Sequence, residues 1–149
     1  MKVLLLSRYG YLGASSRMRS LQYLPWLQAA EIEVTTTPLF SDAYVNGLQQ
    51  GQRNIVEVLR AYVGRLARML RTREFDLLWI EKEILPWLPA WFDTLLFSKG
   101  LRYVLDYDDA VFHYYDQHRS AVVRQVLGGK HRDLMRGAAL VVVGNDWYF

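Results

Sequence analysis

Lys2-Val-Leu-Leu-Leu-Ser7, running straight into Arg8-Tyr-Gly-Tyr-Leu-Gly-Ala14, is the stretch whose reading decides the fold. An unbroken apolar run of this length suits a strand buried on both faces, the situation of a parallel sheet covered by helices. A glycine-bearing loop closes the run. Ser15 or Ser16 can then cap a helix whose apolar positions Met18, Leu21, Tyr23, Leu24 and Leu27 recur at helical spacing to about Ala30.

The same alternation continues outward from this unit. Glu31 to Thr37 alternates Ile32, Val34 and Thr36 with polar residues until Pro38 ends it, which predicts a second strand. Phe40 to Gln52 is rich in Ser, Asp, Asn, Gly and Gln and reads as a loop. A helix is expected over about Arg53–Arg73, with Ile55, Leu59, Tyr62, Val63, Leu66, Met69 and Leu70 as one inward stripe. Phe75–Ile80 is a third strand, followed by Glu81-Lys82-Glu83 and a helix carrying Trp87, Leu88, Trp91, Phe92, Leu95 and Leu96 up to Gly100. Arg102–Asp106 is a fourth strand, Asp106–Tyr115 a loop, Ser120–Arg136 a helix and Ala138–Val143 a fifth strand, after which Gly144-Asn-Asp146 can begin another helix.

Five strand-to-helix alternations predict an α/β chain with a Rossmann-like, doubly wound, mostly parallel sheet, because parallel neighbours need crossovers and these are right-handed. Ligands in such sheets sit outside the carboxyl ends of the strands. The segments Arg8–Arg19, Glu81–Pro86 and Asp106–His118 are therefore expected along one edge.

Composition narrows the classes. The 149 residues fit one domain, and 52% hydrophobic with 22% charged residues excludes a disordered chain. The formal charge is 18 − 15 = +3, and 14 of the 18 basic residues are Arg, so position rather than bulk charge decides what the cations do. With no cysteine, disulfides, thiolate metal sites and a cysteine nucleophile are excluded, which is compatible with the reducing cytoplasm. Val3–Leu6 is too short for a signal peptide core, and Ile84–Phe97, broken by Pro86, Pro89 and Asp93, is too short for a membrane span.

Several residues carry possible chemistry. Gly10 and Gly13 would let backbone amides approach a phosphate at a helix start, with Arg17 and Arg19 as cations, or they would simply form a tight turn. Their spacing is not the dinucleotide fingerprint, and Gly128-Gly129-Lys130 lacks the earlier glycine of a P-loop. Asp106, Asp108 and Asp109 crowd one loop, so one of them needs a cation or a raised pKa. His113 and His118 do not complete a metal set, and no metal is expected. Glu81 and Glu83 can bind hydroxyls, bind the arginines of the first loop, or pair with Lys82. The 53–73 segment holds six arginines against Glu57, which points to a solvated face or to an anionic membrane surface; nucleic acid is not expected, because no recognition motif accompanies it.

The order of motifs Ser7-Arg-Tyr-Gly-Tyr-Leu-Gly-Ala-Ser-Ser-Arg-Met-Arg19, Trp79-Ile-Glu-Lys-Glu-Ile-Leu-Pro86, Val104-Leu-Asp-Tyr-Asp-Asp-Ala-Val-Phe112 and Val141-Val-Val-Gly-Asn145 resembles the N-terminal domain of GT-B-fold glycosyltransferases of family 4. The resemblance implies that residues 1–149 are the acceptor-side half of a longer enzyme, with the nucleotide-sugar-binding half following. It implies retaining transfer of a sugar from a UDP- or GDP-sugar, no tightly bound cofactor, a glycan or lipid-linked acceptor, and a cytoplasmic enzyme peripheral on the inner face of the plasma membrane. By position it assigns Gly10, Gly13, Ser16 and Arg17 to the donor diphosphate and Asp108 and Asp109 to the reacting sugar, with Glu81, Glu83, Asp106 and His113 toward substrate. The alternative is a non-catalytic Rossmann-like binding module.

Overall fold

Five parallel strands form one sheet in the order β2-β1-β3-β4-β5: β1 Lys2–Leu6, β2 Glu33–Thr36, β3 Leu77–Glu81, β4 Arg102–Tyr107 and β5 Leu140–Val143. This computed structural model describes residues 1–52, 54–95 and 100–144. The expected helical positions Arg53 and Leu96, and the helix expected to begin at 145–146, lie outside the described residues. Flanking the sheet are α1 Ala14–Arg19, α2 Leu24–Ala29, α3 Asp42–Gln49, α4 Ile55–Met69, α5 Ala90–Leu95, α6 His113–Asp116, α7 Ala121–Leu127 and α8 Lys130–Gly137. The fold is the Rossmann-like, doubly wound α/β class that the alternating pattern predicts, and its 2-1-3-4-5 order reverses direction between β1 and β3.

Register assigns the faces. Val3 pairs with Val34 and Leu77, Trp79 with Val104, and Asp106 with Val142. Side chains alternate along each strand, so these residues share one face while Leu4, Leu6, Leu78, Ile80 and Leu105 share the other. The second face holds the main core, where Leu4, Leu6, Leu78 and Leu105 are wholly buried under Met69 of α4, Phe92 of α5 and Leu134 of α8. On the first face α1 and α2 are the described helices, because the β1-to-β2 crossover is the one that winds the opposite way.

Four expected elements differ for local reasons. The expected loop over 40–52 contains α3, since Ser41 caps it by accepting from the Tyr44 amide at 3.2 Å and Asp42 favours its first turn. The single helix expected over 15–30 is divided into α1, a 3-10 turn at Leu21–Tyr23 and α2, with Pro25 in the first turn of α2. Gly128-Gly129 divides the helix expected over 120–136, and Pro86 and Pro89 delay α5 to Ala90.

The expected inward stripe of α4 is corrected most. Tyr62, Leu66 and Met69 do pack on the core. Ile55, Leu59, Val63 and Leu70 are instead exposed, and Arg65 is buried. Arg65 Nη2 donates to the Ser7 carbonyl and Tyr62 to the Pro86 carbonyl, each at 2.7 Å, and these bonds hold the helix in the rotation that packs Tyr62, Leu66 and Met69 inward.

Candidate functional site

The three segments expected along one edge do converge at the carboxyl ends of β1, β3 and β4. Glu81, the last residue of β3, accepts from the Arg8 amide at 3.1 Å, from Ser15 Oγ at 3.2 Å and from Ser16 Oγ at 2.6 Å. Ser15 also donates to Asp108, whose other oxygen lies 2.7 Å from Lys82 Nζ. Lys82 can turn toward that loop because its backbone is left-handed, with φ 67°. Arg19 bonds Asp106 through Nε at 3.0 Å and again through Nη2, leaving Nη1 outside this pairing. Burial alone would raise both aspartates. Asp106 stays above its ordinary value despite Arg19, whereas Lys82 and Ser15 outweigh burial at Asp108 and hold it below.

The glycine loop is filled by the protein itself. A Cβ on Gly10 would lie 2.6 Å from Asp42 Oδ1, and that oxygen also accepts from the Leu12 amide at 3.3 Å. A Cβ on Gly13 would collide with the Tyr9 Cβ. The loop's backbone is thus closed on Tyr9 and on a carboxylate from α3, where the expected diphosphate would have to compete with a fixed negative charge. Ser16 is buried against Glu81, and Arg17 Nη1 donates to the Tyr11 carbonyl at 2.7 Å, bracing the loop from outside. Asp109 faces solvent. His113 engages Asp116 at 3.0 Å and Gln117 at 2.8 Å on its own segment, away from the converging carboxylates. Among the described residues no group of His, Asp and Glu is placed to hold a metal ion.

Glu83 points the other way, into the core. Lys130 Nζ, fully buried, lies 2.7 Å from Glu83, 3.1 Å from Asp93 and 2.6 Å from the Leu85 carbonyl it donates to. Tyr115 donates to Glu83 at 3.0 Å and stacks on His131, whose Nδ1 is 3.0 Å from the Tyr107 hydroxyl. Neither Lys130 nor His131 stands out in the sequence as part of a site. A lysine after two glycines on a helix start carries no local mark of burial.

Burial pushes His131 from 6.5 down to about 4, and it pushes Asp93 from 3.8 up to about 7 even beside Lys130. The signs oppose each other. His131 contributes stability above 6.5 that is lost as pH falls through about 4, whereas Asp93 contributes stability below 3.8 that is lost as pH rises through about 7. In a His131→Asn variant, whose amide oxygen can still accept from Tyr107, the Asp93 contribution is common to both proteins. The stability gap between wild type and variant, read from urea midpoints, is expected to narrow by at most about 3 kcal/mol as pH falls from neutral toward 4. A gap independent of pH would show that His131 is not held neutral by burial.

A second concavity lies on the α1–α2 face. It encloses about 560 Å³, with Val3, Leu77, Trp79, Val104 and Val142 as its floor and Met18, Tyr23 and Trp26 along one wall. Arg19 and Asp106 are its polar residues. Of the residues expected from the sequence to meet a ligand, Arg19 and Asp106 reach this cavity. The rest were placed by their position after a strand, a signal blind to which face of the sheet is left uncovered.

No family model matches the chain. No curated protein matches it either. Among solved structures, a putative quinone reductase from Klebsiella pneumoniae aligns with 99% of this chain and 77% of its own, at 13% identity and a TM-score of 0.42. The sugar-transfer function expected from the order of the motifs is corrected here: the loop expected to face the donor diphosphate is already occupied by Asp42. Quinone reduction belongs to that protein and is not carried to this chain.

Proposed function

We propose that this chain is a binding module for a small, largely apolar molecule that lies along the α1–α2 face of the sheet with a hydrogen-bond acceptor at Arg19. One observation supports the reading: a cavity of about 560 Å³, floored by apolar strand residues and carrying the Arg19–Asp106 pair. That volume is in the range of sites for small organic ligands, which are mostly apolar with a few polar groups to orient the guest. Trp26 and Trp79 offer flat apolar surface, and Arg19 Nη1 offers the remaining donor. The reading is one of binding, since the carboxylates of the rim are engaged with Ser15, Lys82 and Arg19.

The test uses 2-naphthoate and naphthalene as probes, followed by quenching of tryptophan fluorescence. Naphthoate is expected to bind more tightly than naphthalene. Val142→Asn, at a floor position 38% exposed, is expected to weaken naphthoate about tenfold by placing an amide in the apolar floor, while leaving the thermal midpoint nearly unchanged. Equal binding by the variant, or no binding of either probe, would overturn the reading.

A further inference from the structure

We infer that the outer face of α4 is a docking surface for an anionic lipid bilayer. No helix among the described residues is long and apolar enough to cross a membrane, so the attachment in question is to the surface. The helix has fifteen residues, and with Arg65, Tyr62, Leu66 and Met69 turned inward, Ile55, Leu59 and Val63, spaced four apart, form one outward row. They are 73%, 62% and 66% exposed, with Val56 beside them and Leu70 continuing the row at 80%. Five large aliphatic side chains left together in water are unusual on a helix whose other face packs on the core.

The cations choose the partner. Arg60, one turn from Val56, and Arg71 and Arg73 past the helix end are all exposed, whereas Arg68 is partly covered, 3.4 Å from Glu74 and over the Phe75 ring. An aliphatic row bordered by arginines matches the boundary between acyl chains and anionic headgroups, where the row enters and guanidinium groups meet phosphate. A second copy of the chain docked on the same face would gather Arg60 and Arg71 of both copies into one interface, which charge disfavours. Nucleic acid would leave the aliphatic row unsatisfied. Next to the helix, Tyr62 donates to the Pro86 carbonyl at 2.7 Å and so ties α4 to the loop bearing Trp87, an indole 54% exposed.

Co-sedimentation of the 149-residue chain with vesicles tests the assignment. Binding is expected to phosphatidylcholine vesicles containing about one-third phosphatidylglycerol, with binding to phosphatidylcholine alone weaker by about tenfold or more. Leu59→Ser/Val63→Ser and Arg60→Glu/Arg71→Glu change exposed side chains, so both variants are expected to fold with unaltered circular dichroism and to lose the anionic-vesicle binding. Three results would overturn the proposal: no binding of wild type to anionic vesicles, undiminished binding by either double variant, or a concentration-dependent dimer that the Leu59→Ser/Val63→Ser change abolishes without affecting vesicle binding.

Discussion

Lys130→Met is expected to destabilise the protein by about 3–5 kcal/mol, a large part of the 5–15 kcal/mol that holds a typical domain folded. The side chain is completely buried, and its ammonium is the cation shared by Glu83 at 2.7 Å and Asp93 at 3.1 Å. Methionine fills similar space but leaves two buried carboxylates facing each other without a counter-charge. Asp93, already pushed up to about 7, will take a proton in the variant, so the loss should be smaller at pH 6 than at pH 8. Adding Asp93→Asn to Lys130→Met should recover part of the loss at pH 8 and little at pH 6. Urea denaturation of the three proteins at both pH values checks this, and a single-variant loss below 1 kcal/mol (roughly the value of an exposed pair) would show that the cluster is solvated.

Glu81→Leu is expected to cost about 3 kcal/mol and to loosen the whole first loop. One carboxylate accepts from the Arg8 amide and from both Ser15 and Ser16, and Glu81 and Ser16 are buried. Leucine leaves the Arg8 amide and the Ser16 hydroxyl without this acceptor, while Ser15 keeps Asp108. Because α1 carries both Ser16 and Arg19, its displacement should also disturb the Arg19–Asp106 pair in the apolar cavity, so naphthoate binding should fall with stability. Glu81→Gln keeps one acceptor oxygen and is expected to lose less than half as much. Hydrogen exchange over residues 8–20 separates the two outcomes: faster exchange confined to this loop in Glu81→Leu supports the latch, and unchanged exchange refutes it.

Both effects rest on residues that differ in how plainly the sequence displays them. Glu81 stands directly after an apolar run, and a polar side chain at a strand's carboxyl end must face the loops gathered there, so its importance is legible. That of Lys130 is not, because its two partners lie 47 and 37 residues earlier and nothing local distinguishes it from a solvated lysine. The α4 face is hidden for a related reason. Helical periodicity marks one broad stripe from Ile55 to Leu70, and which part of it turns inward is set by the packing of Tyr62, Leu66 and Met69 together with the bond from Arg65 to the Ser7 carbonyl. In the glycine loop the two readings of Gly10 and Gly13 separate only when Asp42, on a helix hidden in a polar stretch, is seen against it.

Apolar runs of four to six residues, punctuated by glycine and proline and separated by helical repeats, were enough to require a parallel sheet and to bring three loops to one edge, because backbone hydrogen bonding and burial of alternate side chains leave few other arrangements. Which carboxylate meets which cation, which way α4 is rolled, and which face of the sheet stays open are all settled by contacts between residues far apart in the chain. Such contacts depend on distances of a few ångströms that no local pattern encodes, and the cavity and the aliphatic row exist only once those distances are set.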